Sequence, residues 1–183
     1  MINIPLPLWR TCRIIACEVR LELLWSLFEN KELNVTQLAL ATGKSFPHIS
    51  TQLRMLTEHG LIAYRREDMN VFYRAEANTA MSFASPLLDA LRSGFDQSMS
   101  FKTVIHQATA LSHGRRIEII QALKGKHCTF EELQEATGMS GSAQSRHLCK
   151  LIDRGFVEHA DHAYRCGKPS NRLGRTLIKL AAI

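Results

Sequence analysis

The sequence predicts a mainly α-helical fold with small β-hairpins, built from two similar units in tandem. Apolar residues recur at helical spacing along most of the chain, and each helical run is followed by a short extended pattern. The chain also repeats itself at an offset of 95 residues. A length of 183 residues suits two small domains, which we place at 1–95 and 96–183.

The internal repeat runs without a gap through most of each copy. An offset of 95 residues superimposes Ala41-Thr42-Gly43 on Ala136-Thr137-Gly138. Further equivalent pairs are Arg20 with Arg115, Leu38 with Leu133, Ser45 with Ser140, Ser50 with Ser145, Leu53 with Leu148, Leu56 with Leu151 and Gly60 with Gly155. Two copies are too few for a solenoid, so each copy is expected to close its own core or to pack against its twin.

Each copy opens with a helix, which in the first copy covers residues 19–28 and has one apolar stripe. A short second helix is predicted next, because a capping box precedes it and a glycine suited to a left-handed cap follows it. The capping pairs are Asn34 with Gln37 and Thr129 with Glu132, and the glycines are Gly43 and Gly138.

A third, amphipathic helix follows in each copy. Ser45 and Ser140 are suited to cap it, and Pro47 lies in its first turn, where a missing N–H costs little. Its apolar residues recur at steps of three and four, which leaves the opposite face polar. Gly60 and Gly155 are expected to stop it.

A β-hairpin closes each copy. In the first copy the strands are predicted at 61–66 and 71–74 around a polar turn at 67–70. The second hairpin is shorter, with strands at 156–159 and 162–166. Helix, short helix, tight turn, amphipathic helix and hairpin together make up a winged helix-turn-helix, so the fold class is two tandem winged helix-turn-helix domains.

The segment 82–110, which joins the copies, is predicted to be mainly helical. Pro86 suits the first turn of the helix it opens. Two apolar stripes follow, formed by Leu87, Leu88, Leu91 and Phe95 and by Phe101, Val104, Ile105 and Ala108.

Two segments resemble the recognition helix and wing of the ArsR-type winged-helix repressors. They are GLIAYRREDMNVFYR at 60–74 and SGSAQSRHLCKLIDRGFVE at 140–158, in which SxxxxSRHLxxL is the most specific string. The resemblance covers 16–74 and 111–165. It implies a DNA-binding transcriptional regulator, of the repressor kind, with double-stranded DNA as its partner.

The charge distribution supports a polyanionic partner. Residues 1–95 carry ten Lys and Arg against nine acids, whereas 96–183 carry thirteen against eight. From Arg146 to the end there are eight basic residues against three acids. Such asymmetry is typical of a surface that meets nucleic acid.

The exposed face of a recognition helix reads base edges in the major groove. We expect Arg146 to donate two hydrogen bonds to guanine, and Gln52 to pair with adenine. The second copy supplies Ser142, Ala143, Ser145, Arg146, His147 and Lys150, and the first supplies Phe46, His48, Thr51, Gln52 and Arg54 on the helix with Arg65, Arg66 and Arg74 on the wing. The second copy has more cations on its helix and is expected to be the stronger reader.

Two dimeric arrangements are compatible with the sequence. Members of the ArsR-type family dimerise through helices that flank the winged core. That resemblance implies that one chain could be an internal pseudo-dimer, with half-sites roughly 34–36 Å apart. Alternatively, the chain forms a homodimer through 1–14 and 173–183. The outward residues of the two recognition helices differ, so an asymmetric operator is expected.

Other classes of protein are less well supported. No P-loop, GxSxG or HExxH string occurs, so a non-enzymatic protein without a cofactor is predicted. The main alternative is a protein-interaction module that uses Phe46, Phe72 and Tyr73.

Sensing and location follow from the cysteines and the hydropathy. Metal sensors of the ArsR-type family carry Cys-x-Cys in the short helix. At the aligned positions this chain has Asn34 and Thr36, or Thr129 and Glu131, so no metal site is predicted there. A thiol or metal switch elsewhere is a weaker alternative, and the sequence indicates no effector.

Five cysteines without framework spacing fit a reducing compartment. No run approaches the roughly 18 apolar residues of a membrane helix. We therefore expect a cytoplasmic protein that associates with the nucleoid and not with a membrane.

Overall fold

The computed structural model describes residues 7–183, which form ten helices and five strands. In chain order these are α1 (Leu8–Ile15), α2 (Glu18–Glu29), β1 (Leu33–Asn34), α3 (Val35–Thr42), α4 (Phe46–Glu58), β2 (Ala63–Glu67), β3 (Asn70–Arg74), α5 (Ala84–Asp96), α6 (Phe101–Ala110), α7 (Gly114–Ala122), α8 (Phe130–Thr137), α9 (Gly141–Asp153), β4 (Val157–Ala160), β5 (Ala163–Cys166) and α10 (Arg172–Ala181). The mainly helical class with small antiparallel sheets is confirmed.

The same order of elements occurs twice. Helix, short helix, longer helix and hairpin run from α2 to β3 and again from α7 to β5. The short helices α3 and α8 begin and end 95 residues apart, and so do α4 and α9. The offset of 95 residues predicted from the sequence therefore holds for the short and the long helix of each half.

The predicted capping boxes are confirmed at both short helices. Asn34 accepts from the Gln37 N–H at 2.9 Å, and the Gln37 side chain accepts from the Asn34 N–H at 2.8 Å. Thr129 and Glu132 repeat this exchange at 3.2 and 2.7 Å. These local bonds fix where each short helix begins, before any tertiary contact is considered.

Glycine ends both short helices, as predicted. Gly43 and Gly138 adopt φ of 64° and 61°, the left-handed conformation that residues with a Cβ rarely take. At the next N-cap the copies differ, because Ser140 accepts from the Ala143 N–H at 3.4 Å whereas Ser45 makes no side-chain cap bond. One N–H that Ser45 would bind is missing, since Pro47 is the second residue of α4.

The first helix of each copy aligns at an offset of 96, not 95. Arg20 Nε donates to the Ile14 carbonyl, and Arg116 Nε donates to the Ala110 carbonyl. Arg116 is thus the counterpart of Arg20, and the equivalence of Arg20 with Arg115 was wrong. The stretch between the N-caps of the first and second helices is one residue shorter in the second copy, and this deletion shifts the register.

Both hairpins turn over two residues. In the first, Glu67 pairs with Asn70, so the turn contains only Asp68 and Met69. Strand β1 adds to β3 and makes this sheet three-stranded. In the second, Ala160 pairs with Ala163. His162, predicted as a strand residue, lies in the turn at φ 62°.

The helices outside the two repeated units pair with one another. Helix α1 precedes α2 as α6 precedes α7, and α5 follows the first hairpin as α10 follows the second. In the folded chain α1 packs against α6, and α5 packs against α10. Each flanking helix therefore contacts its own counterpart, and one apolar core runs through both halves of the chain.

These contacts occupy the inner faces of the flanking segments. Helix α1 buries Thr11, Cys12 and Ile15, and α10 buries Leu173 and Leu177. Part of the homodimer surface expected at 1–14 and 173–183 is therefore in contact with the chain's own helices, while Ile183 is 85% exposed. Residues 1–6 lie outside the described residues. Among residues 7–183, no helix is long and apolar enough to cross a membrane.

Candidate nucleic-acid interface

Helix α9 presents a polar, basic face to solvent. Its inner face buries Gln144, Leu148 and Leu151. The outer face exposes Ser142, Ser145, Arg146 and Lys150, with Ala143 and His147 half-buried beside them. Cys149, which sequence reasoning did not include, is exposed on the same face.

A buried amide fixes the position of α9. Gln144 is fully buried, and its Nε2 donates to the Phe130 carbonyl of α8 at 2.7 Å. The corresponding position in α4 is Ile49, which is also fully buried. In the second copy, the side chain at this position therefore holds the long helix on the short helix by a hydrogen bond. In the first copy, the side chain at the same position does so by apolar packing alone.

The cations on α9 have no acidic partner in the described part of the chain. Arg146 Nε donates only to the Ser142 carbonyl, at 3.2 Å. No carboxylate of residues 7–183 lies within 4.0 Å of Arg146 or Lys150. One helical turn apart, these two charges are positioned to meet a phosphate backbone or a guanine edge.

Two histidine rings lie beside this face. The rings of His147 and His113, the N-cap of α7, have centroids 4.7 Å apart. Desolvation lowers the pKa of both, and the neighbouring cations Arg116 and Lys150 lower it further. In the unliganded protein the pair therefore disfavours protonation, since a charge here adds to an already positive surface.

Helix α4 is less basic on its outer face. Phe46, His48, Thr51 and Arg54 are exposed, with Phe46 at 55%. Arg54 lies 4.0 Å from Glu58, one turn along the helix.

Gln52, on the same helix, is half-buried, and its amide oxygen accepts from Arg20 Nη1 at 2.7 Å. This bond turns the Gln52 amide toward α2, away from the face that exposes Thr51 and Arg54. Its expected pairing with adenine would require that bond to break.

Two of the three wing arginines are already paired. Arg65 contacts Glu32 at 2.7 Å and Glu67 at 2.5 Å. Arg74 contacts Glu32 at 3.5 Å and also pairs with Glu76. The hydrogen bond from Arg65 holds the pKa of Glu32 below its usual value. Glu32 therefore stays ionised, and the wing carries less net positive charge than its arginines indicate.

Arg66 is the remaining wing arginine, and no carboxylate of residues 7–183 lies within 4.0 Å of it. It faces α4 across a groove of about 580 Å³ that Arg54, Tyr64 and Tyr73 also line.

The three aromatic residues of the alternative protein-interaction surface differ in how exposed they are. Phe46 is exposed, but Tyr73 is half-buried, and Phe72 lies 4.9 Å beneath the Arg65 guanidinium.

Sequence reasoning missed Arg10 and Arg13 of α1, both of which are exposed. They share a groove with Met55 and His59 at the end of the first long helix, and Arg13 also lines a groove with Lys150 of α9. Their spacing of three indicates one helix face, but nothing local indicates that α1 lies between α4 and α9. Among residues 7–183, no group of three or more His, Cys, Asp or Glu side chains could hold a metal ion.

Comparison with known proteins assigns part of the chain. Residues 17–64 match the model of the bacterial regulatory proteins of the arsR family, and residues 106–177 match a domain of unknown function, DUF7347. The first match spans α2 to the beginning of β2. This segment is therefore similar to the helix-turn-helix of the arsR family, whereas the ArsR resemblance predicted at 111–165 is not matched in the same way.

Two curated regulators are similar over part of their length. The HTH-type transcriptional regulator KmtR of Mycobacterium tuberculosis (strain ATCC 25618 / H37Rv) is 36% identical over 78 residues, covering 39% of this chain and 59% of that protein. The HTH-type transcriptional regulator YgaV of Escherichia coli (strain K12) is 39% identical over 57 residues, covering 31% and 58%. The chain thus spans under two thirds of the length of either relative.

Proposed function

We propose that the chain is a sequence-specific regulator of transcription that binds double-stranded DNA with two non-identical recognition helices, α4 and α9. The units are the winged helices of residues 1–95 and 96–183, and together they act as an intramolecular pseudo-dimer in the cytoplasm. The repressor role rests on the resemblance to ArsR-type repressors. Its physical basis would be occupation of the operator.

The pairing of each flanking helix with its own counterpart carries this proposal. A twofold interface brings the same surface of both partners together, and α1 with α6 and α5 with α10 satisfy that condition within one chain. A dimeric helix-turn-helix protein places two recognition helices in successive major grooves. The chain supports the same arrangement without a second copy.

Helix α9 is the stronger reader in this proposal. No carboxylate of residues 7–183 pairs with Arg146 or Lys150, so both are available without breaking such an ion pair, whereas Arg65 and Arg74 must exchange carboxylates for phosphates. Exposed ion pairs contribute little, so that exchange is feasible. The proposed contacts are Ser142, Ala143, Ser145, Arg146, His147 and Lys150 on α9, Phe46, His48, Thr51, Gln52 and Arg54 on α4, and Arg65, Arg66 and Arg74 on the wing.

Selection from a random duplex pool tests this function. Wild type, Arg146→Ala and the control Lys179→Ala, an exposed residue on α10, are each equilibrated with the pool at two salt concentrations, and the retained DNA is sequenced. Wild type and control should enrich one asymmetric motif. Arg146→Ala should lose about 1–3 kcal/mol of discrimination at one guanine position.

The opposite result identifies the alternative function. If wild type enriches no motif at either salt concentration, the chain is not a sequence-specific DNA reader. The exposed Phe46 then becomes the first residue to substitute in a search for a protein partner. A motif that is symmetric would retain DNA binding but contradict two non-identical readers.

A further inference from the structure

Three grooves connect the outer faces of the two long helices. One, of about 590 Å³, runs along α9 and includes His113 and Lys150. The next, of about 610 Å³, also includes His113 and Lys150 and adds Trp9 and Arg13. The third, of about 510 Å³, shares Trp9 and Arg13 and reaches Met55 near the end of α4. Because neighbouring grooves share residues, they form one continuous surface across α1.

This surface is strongly positive. Among residues 7–183, Glu118 is the one acid that lines the three grooves, and it is paired with Arg115 at 2.7 Å. No carboxylate of the described residues lies within 4.0 Å of Arg10 or Arg13. We call the residues Trp9, Arg10, Arg13, His113 and Lys150 the central belt. Its cations are not neutralised from within the described part of the chain.

The half-buried Trp9 positions the two arginines. The guanidinium carbons of Arg10 and Arg13 lie 5.2 and 6.0 Å from the centre of the Trp9 ring. The attraction of a cation to an aromatic face restricts a long side chain and reduces the entropy lost on binding.

The belt is not repeated in the second half. At the offset of 96 that relates the two first helices, Trp9, Arg10 and Arg13 correspond to Ile105, His106 and Thr109. Only one of the two paired helices, α1 and α6, therefore carries the arginines. A duplex that spans α4 and α9 would meet this charge on one side of the pseudo-twofold axis.

We propose that Arg10 and Arg13 of the central belt bind the phosphates of the DNA segment between the two half-sites, without reading its bases. The inference rests on the proposed function, because it requires a duplex that lies across both recognition helices. Guanidinium and ammonium groups without a base edge in reach contribute affinity and register, not sequence preference. The contact is one-sided, so it falls on one strand of the spacer.

The test compares Arg10→Gln/Arg13→Gln with the matched control Arg172→Gln/Lys179→Gln, which removes two exposed charges from α10. Affinity for the selected duplex is measured at several salt concentrations. Each cation that no longer binds a phosphate lowers the slope of log K against log salt by about 0.9, so the slope should fall by about 1.8 for the belt variant and stay unchanged for the control. The selected motif should be the same in all three proteins.

Ethylation of single phosphates provides a second readout. Modification within the spacer should weaken binding of wild type on one strand and should have no effect on the belt variant. Because the substituted side chains are exposed, both variants should unfold at the wild-type temperature. That control separates the removal of a phosphate-binding group from a failure to fold.

The outcomes distinguish the two proposals. If wild type binds no duplex, the proposed function fails and the belt fails with it. If wild type binds and the belt variant keeps the wild-type slope and interference pattern, only the belt proposal is overturned. A decrease in slope that is equal in belt variant and control would also overturn it, because it would show a general effect of net charge.

Discussion

At the scale of single residues, position 144 decides how α9 is held. Gln144 is the buried amide that joins α9 to the first turn of α8, while its counterpart Ile49 is apolar. The sequence shows both residues on the inner face of an amphipathic helix. It does not show that the Phe130 carbonyl lies within 2.7 Å of the amide, because that distance depends on how two helices dock.

Gln144→Ala should destabilise the protein, whereas Gln144→Ile should be close to neutral. The alanine variant removes a buried hydrogen bond and leaves a cavity, for a cost of about 1–3 kcal/mol in the free energy of unfolding. The isoleucine variant restores the packing that Ile49 provides in the first unit. Urea unfolding followed by circular dichroism measures both. An equal decrease in stability for the two variants would show that the hydrogen bond matters more than the volume.

Buried histidine should make the protein less stable below about pH 6.5. His59 is buried, bonds Thr11 Oγ1 at 2.9 Å, and has its pKa lowered first by desolvation and then by Arg10 and Arg20. Between its usual value of 6.5 and its lowered value in the fold, the unfolded chain binds more protons. Stability is therefore retained above pH 6.5 and falls as the pH drops below it.

The unfolding midpoint in urea, measured from pH 7.5 to 5.5, checks this expectation. Wild type should become less stable across that range, and His59→Gln should change less. The control His106→Gln, on the exposed face of α6, should follow wild type. His113 and His147 shift in the same direction, so removal of His59 alone should leave part of the pH dependence. A profile that is flat in wild type would contradict all three assignments.

At the scale of elements, two devices recur in both halves. An arginine from the first helix of each unit binds a carbonyl at the end of the helix before it, namely Ile14 for Arg20 and Ala110 for Arg116. This bond ties the flanking helix, α1 or α6, to the first helix of the repeated unit that follows it, α2 or α7. The second device is the hairpin docked on the end of the long helix, which in the second unit depends on Gly167.

Gly167→Ala should destabilise the second hairpin. Its N–H donates to the Phe156 carbonyl at 2.8 Å, and a Cβ would lie 2.3 Å from the Gly155 carbonyl oxygen. Backbone cannot move aside as a side chain can, so a destabilisation on the order of 1–3 kcal/mol is expected.

Gly141→Ala is the matched control. A Cβ at this first residue of α9 would meet Gln134 Nε2 at an ordinary 3.5 Å. Thermal unfolding should show a lower midpoint for Gly167→Ala and an equal or higher one for Gly141→Ala. The assignment of Gly167 to a close backbone approach would be wrong if both variants behaved alike.

At the scale of the whole molecule, the flanking helices of the two halves pack against each other, α1 on α6 and α5 on α10. Helices α1 and α10 turn their buried apolar faces toward α6 and α5. Under the proposed function, a monomer would present two recognition helices at a fixed separation. The affinity of such a protein does not depend on prior dimerisation.

One chain is expected to occupy one operator. Native mass spectrometry of the complex with the selected duplex should show a ratio of one to one, and sedimentation of the free protein should show a monomer at all concentrations used. Two chains per duplex with a concentration-dependent affinity would instead favour the homodimer through residues 1–14 and 173–183. The control is an operator with one half-site scrambled, which should bind more weakly but at the same ratio.

The short helices with their capping boxes, and the apolar faces of the long helices, follow from the sequence alone, because the interactions that specify them are local. These interactions act over about four residues. The capping boxes and left-handed glycines were correct at α3 and α8 and the apolar periodicity at α4 and α9, whereas the side-chain cap expected from Ser45 does not form at α4. Sequence reasoning also placed Arg146 and Lys150 on an exposed helix face, because the buried stripe opposite them is clear.

The availability of these charges and the way the halves meet depend instead on the tertiary structure. Glu32 lies more than thirty residues before Arg65, so no local pattern reveals that it pairs with the wing. The packing of α1 on α6 and of α5 on α10, and with it the central belt, depends on contacts about 90 residues apart. Such contacts depend on the shape and charge of whole faces, which no short stretch of sequence determines.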